Sequence, residues 1–140
     1  METIITGDLK SADSIKKAEA VVKVLLLKKG IDVKLFDVRE SSSITDYYIN
    51  VTGRSTTQVR ALADDVVHYL SLAGVDALRV EGRQGNAWLL VDYGDVIVNV
   101  FDRPSREFYN LDRHFSEDAS VDITYLVEEV DEKLKINSDR

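Results

Sequence analysis

The chain has 140 residues, 44% of them hydrophobic, and its 18 basic and 25 acidic side chains leave a net charge of −7. That length fits one domain, which buries roughly two-thirds of its unfolded surface and needs no metal or cross-link to hold it. The lack of cysteine excludes disulfides, thiolate zinc sites and a thiol nucleophile, in keeping with a reducing cytoplasmic setting, and the acidic balance opposes a nonspecific grip on nucleic acid while suiting a basic protein partner.

Residues 1–10 carry Glu2 and Asp8, lack a signal core, and read as a flexible start. Over residues 11–29, Ile15, Ala18, Val22, Leu25 and Leu26 recur at a helical period, with Gly30 as a left-handed stop. The apolar run at residues 21–27 is broken by Lys23 and falls far short of the ~20 residues of a membrane span. Residues 31–38 alternate as a strand, with Ile31, Val33 and Leu35 on one side and Asp32, Lys34 and Phe36 on the other. Residues 47–52, rich in β-branched and aromatic side chains, predict a second strand ended by Gly53.

Ser55-Thr56-Thr57-Gln58 matches a capping box and opens a helix to Ala73, with Val59, Leu62, Ala63, Val66 and Leu70 inward and Gly74 as terminator. Three further strands are predicted at residues 77–81, 87–92 and 96–101, the last two as an antiparallel hairpin across Tyr93-Gly94-Asp95. Pro104 suits the first turn of a short helix reaching Tyr109. An amphipathic helix at residues 123–134 presents Leu126, Val127, Val130 and Leu134, and the end beyond residue 134 is expected to fray. Helix-containing connections early in the chain permit parallel neighbours, so the expected fold is α/β: one domain over residues 11–134, with a mixed, roughly five-stranded sheet flanked by helices.

Candidate chemistry is sparse. Gly53 and Ser55 lie between a strand and a capped helix, where backbone N–H groups suit an anion, but neither the Walker A nor the three-glycine dinucleotide spacing is present. Asp92 and Asp95 flank a turn, where carboxylates are ordinarily solvated or bound to the loop. His68 and His114 have no second ligand close in sequence, and no nucleophile elbow occurs. These residues predict no catalytic group, metal or cofactor.

Binding has better support. Trp88, Tyr93, Phe108, Tyr109 and Phe115 gather with Arg103, Arg106 and Arg113 in the second half, and Trp, Tyr and Arg dominate interface hot spots. If Leu89 and Val91 face the core, Trp88, Leu90 and Asp92 share the opposite face as an interaction patch.

Thr45-Asp46-Tyr47-Tyr48 before Thr52-Gly53-Arg54-Ser55, Glu81-Gly82 before Trp88, and Asp92-Tyr93-Gly94-Asp95 before Arg106-Glu107-Phe108-Tyr109 together resemble the ribosomal silencing factor (RsfS, or Iojap-like) family. The resemblance spans residues 11–123. It implies a nucleotidyltransferase-like topology and a cytoplasmic, dimeric factor that binds ribosomal protein fourteen of the large subunit and sterically blocks joining of the small one. The implied partner-binding residues are Glu81, Trp88, Asp92, Tyr93, Gly94 and Asp95, with Arg106 and Tyr109. Where the family pattern has histidine in the last strand this chain has Asn99, which argues against a role for imidazole there, and Phe115 stands where the pattern has tryptophan.

The alternative is a metal-dependent nucleotidyltransferase-like enzyme or nucleotide-binding protein, suggested by the turn from Gly53 to Ser55. Such enzymes place paired carboxylates on the strand after the helix. Here that strand offers Glu81 with Arg79 in the partner position, a poor start for two-metal chemistry. A dimeric scaffold with no ribosomal role is the third possibility.

Overall fold

A computed structural model describes residues 5, 7–83, 85 and 87–138, with the side chains of 83 and 136–138 left aside. Half of the expected start at residues 1–10 and the last two residues of the expected frayed end lie outside the described residues. Leu9 is buried, and its N–H donates to Ala73 O at 2.8 Å.

The elements are α1 (Ser14–Leu27), β1 (Ile31–Asp37), β2 (Tyr47–Gly53), α2 (Thr56–Leu72), β3 (Arg79–Arg83), β4 (Trp88–Asp92), β5 (Val96–Asp102), α3 (Arg103–Tyr109), β6 (Ser120–Val121) and α4 (Thr124–Ser138). Single turns of 3-10 helix at Leu111–His114 and Glu117–Ala119 link α3 to β6. The sheet has six strands in the order β3-β4-β5-β2-β1-β6. Its central pair, β2 and β5, is parallel and all its other pairings are antiparallel, so the sheet is mixed as expected. The sixth strand goes beyond the sequence expectation: β6 pairs only Val121 with Leu35 and Ser120 with Phe36, too short to leave an alternation pattern.

Alternation decides what each face buries. Ile49 and Val51 of β2, Leu89 and Val91 of β4, and Val96, Val98 and Val100 of β5 form one apolar layer with the inward faces of α1, α2 and α4. Burying each such side chain contributes roughly 1.5–3 kcal/mol. α1 ends differently from expectation: Lys29 takes the left-handed conformation (φ 65°) while Gly30 N donates to Leu25 O. Gly30 instead permits close approach, because a Cβ there would lie 2.7 Å from Val51 Cγ2. Gly74 does hold the left-handed position after α2 (φ 91°).

At the start of α2, Ser55 Oγ accepts from Gln58 N at 3.1 Å, and the Gln58 side chain reaches back to accept from Arg54 N, closing the capping box one residue further upstream than its usual form. In α3, Pro104 sits in the first turn and Asp102 Oδ1 accepts from Ser105 N at 2.9 Å. α4 runs past residue 134 to Ser138.

Candidate functional site

The sheet face turned away from α1, α2 and α4 carries the residues of interest. Strand register aligns Leu90, Asn99, Asn50 and Lys34 in one row, Trp88, Phe101 and Thr52 in a second, and Asp92, Ile97, Tyr48 and Phe36 in a third. α3 and the turns after it cover the middle of this face. Phe115 stacks on Phe36 with ring centroids 4.4 Å apart and meets Tyr48 at 5.2 Å, so it fills space beneath the loop. Trp88 is half-buried between Phe101 at 5.1 Å and Tyr109 at 4.7 Å. Tyr109 in turn meets Phe108 edge-on at 5.0 Å, and Phe108 is 81% exposed. Aromatic contact thus leads from the sheet to an open apolar ring, with Leu90 half-exposed alongside.

Polar groups fill the layer beneath. Trp88 Nε1 donates to Asn99 Oδ1 at 3.1 Å, Asn99 Nδ2 to Asn50 Oδ1 at 3.1 Å, and Asn50 Nδ2 to Asp112 Oδ1 at 2.8 Å. Arg106 Nη2 donates to the other oxygen of Asp112 at 3.0 Å and to Asp32 O at 3.1 Å, while its Nη1 donates to Thr52 Oγ1 at 3.0 Å. Asp32 holds its carbonyl there through a left-handed backbone (φ 52°), at the irregularity in the β1–β2 register between Ile31 and Lys34. Asn50, Asn99 and Arg106 are all buried, where a polar group without a partner costs ~1–3 kcal/mol, so the network is a condition of folding this face. Burial pushes the Asp112 carboxyl up, but hydrogen bonds from Asn50 and Arg106 and the charges of Arg106 and Lys34 outweigh it, leaving it below the usual carboxylate range.

The residues named from the sequence do not form one surface. Glu81, Trp88, Leu90 and Asp92 share the open face by register, with Tyr109 packed on Trp88. Arg79 lies between the acids, 3.6 Å from Glu81 and 3.1 Å from Asp92. Asp92 Oδ1 also accepts from Gly94 N at 2.7 Å, in a turn where Gly94 takes φ 88°. Strand alternation puts Tyr93, next after Asp92, on the opposite side of the sheet with Leu89 and Val91: its ring is buried, its hydroxyl donates to Val66 O at 3.5 Å, and burial, then the charge of Asp76, raise its pKa. Asp95 pairs with Lys17 of α1 at 3.0 Å, also toward the helices. Arg106 lies under the surface, with its side chain 9% exposed. Tyr93 and Arg106 therefore support the face from below, and Asp95 sits off it, whereas Leu90 and Phe108 enlarge it. Asn50 and Asp112 had no local signal, since their contact spans 62 residues of chain.

The turn from Gly53 to Ser55 has a structural explanation. A Cβ on Gly53 would lie 2.9 Å from both Val59 N and Val59 Cγ2, so glycine allows β2 and α2 to close together, and the Ser55 and Gln58 side chains already serve the backbone at the helix entry. Among the described residues no three His, Cys, Asp or Glu side chains gather as a metal site. No helix among them is long and apolar enough to cross a membrane.

Fold and site define an α/β domain whose sheet is covered by helices on one face and only partly covered on the other. The family model described as ribosomal silencing factor during starvation matches residues 11–140, and the chain belongs to that family. It is similar to ribosomal silencing factor RsfS of Haemophilus influenzae, 42% identical over 85 residues that cover 61% of this chain and 83% of the relative, and to RsfS of Bacillus subtilis, 31% identical over 98 residues covering 70% and 83%. A crystal structure of a Chromobacterium violaceum protein superposes with a TM-score of 0.71 at 33% identity, covering 74% of this chain and 86% of that one. The relatives are named as silencing factors, not as enzymes.

Proposed function

We propose that this protein docks on the large ribosomal subunit through that subunit's ribosomal protein fourteen and hinders joining of the small subunit by occupying space, with no bond made or broken. Membership of the silencing-factor family over residues 11–140 carries the reading. The face bearing Trp88, Leu90, Phe108 and Tyr109, edged by Glu81 and Asp92, supports it: an apolar centre with acidic neighbours is complementary to a basic protein patch. A net charge of −7 makes contact with protein more favourable than contact with ribosomal RNA. In this reading the protein acts in the cytoplasm, needs no cofactor, and is a homodimer when free, which sedimentation velocity would check.

Co-sedimentation with purified large subunits is the test, using wild type, Trp88→Ala and Leu90→Arg, followed by light scattering on addition of small subunits. Wild type should pellet with large subunits and suppress the scattering rise, and both variants should do so poorly. Wild type that stays in the supernatant overturns the function, and variants that bind like wild type overturn the assigned face.

A further inference from the structure

The hydrogen bonds from Trp88 to Asp112 all run in one direction. An indole N–H only donates and an ionised carboxylate only accepts, so the two ends dictate how the amides between them are turned. Asn99 presents its oxygen to the indole and its NH2 to Asn50, and Asn50 presents its oxygen to Asn99 and its NH2 to Asp112. Reversing either amide would set donor against donor inside a buried layer. The carboxylate polarises the amides in series, which strengthens Asn99 Oδ1 as the acceptor for the indole. Asp112 is fixed in turn by Arg106 at 3.0 Å and Lys34 at 3.5 Å.

We propose that Asn50, Asn99 and Asp112 are positioning residues for the docking face: together they hold the half-buried Trp88 ring at one setting, so that a change at Asp112, which acts on the indole through Asn50 and Asn99, alters what the face offers a partner. This rests on the reading of Trp88 as a contact residue. Preorganisation of this kind strengthens binding by removing the cost of ordering an aromatic anchor on contact.

Trp88 is the only tryptophan, so its fluorescence reports its surroundings directly. Asp112→Ala should shift the emission to longer wavelength and increase quenching by acrylamide under conditions where far-ultraviolet circular dichroism shows a folded chain. Ser55→Ala, which weakens the entry of α2 away from this face, should leave emission unchanged. Asp112→Asn, which keeps the side-chain volume, should give a smaller shift in the same direction and serves if the alanine variant does not fold. In large-subunit co-sedimentation the Asp112 variants should bind roughly three- to tenfold more weakly, the loss expected from one uncoupled hydrogen bond. Emission of the folded Asp112 variants identical to wild type, or an equal shift in Ser55→Ala, overturns the positioning role. If wild type itself does not pellet with large subunits, the docking reading fails separately, and the emission comparison still decides whether the chain of amides sets the indole.

Discussion

The guanidinium of Arg106 and the carboxylate of Asp112, six residues apart, meet at 3.0 Å and pin α3 and the turn behind it to the sheet. Arg106 also serves Thr52 and Asp32, so one side chain ties three segments together. Arg106→Ala would take from the partly buried Asp112 carboxylate its guanidinium donor, leaving it Asn50 and Lys34, and would remove the donor to the buried Thr52 hydroxyl. The expected loss is about 3 kcal/mol in urea unfolding. Arg106→Lys should recover only part of it, because a single ammonium cannot replace the planar fork.

The same pair sets an acid limb. Asp112 is held below its unfolded value of about 3.9, so the unfolded chain takes up the proton first as pH falls. The associated stability is fully present above about pH 4 and is lost as pH falls through the folded value. Asp112→Asn should therefore be less stable than wild type at neutral pH, with the gap narrowing below pH 4. Urea midpoints across that range check the sign; a gap that widens on acidification contradicts it.

Gly53 is predicted to tolerate no side chain. Gly53→Ala would press a methyl group against backbone and side-chain atoms of Val59, and the strain should cost about 1–3 kcal/mol. A thermal melt unchanged from wild type would mean that α2 yields at its first turn.

Phe108 offers the opposite combination. Its exposure leaves little to lose on folding, so Phe108→Ala should change stability by less than about 0.5 kcal/mol. If it forms part of the docking face, large-subunit binding should weaken about tenfold. Unchanged co-sedimentation would remove Phe108 from the face without touching the fold.

Local pattern made much of this legible in advance. Alternation along β4 correctly opposed Leu89 and Val91 to Trp88, Leu90 and Asp92, and the Ser55 and Pro104 signals marked real helix starts. The surface role that the resemblance implied for Tyr93 runs against this same alternation, which puts residue 93 with Leu89 and Val91 on the helix side, where its ring is buried. No local rule exposes the partners of Arg106. They come from β1, β2 and the turn after α3, and only the assembled sheet brings them together. β6 was hidden for a simpler reason, since two residues cannot display a period.

The middle of the sheet has a consequence for how the molecule is made. β2 and β5 are parallel neighbours whose facing residues Asn50 and Asn99 lie 49 residues apart, so no tight hairpin can join them. As the chain leaves the ribosome, α1 and the β1–β2 pair can assemble early, but the other edge of β2 stays unpaired until β5 has emerged to set Val98 and Val100 beside Ile49 and Val51. Folding of this domain is thus gated by a late, long-range closure, with refolding slower than helix content alone would suggest.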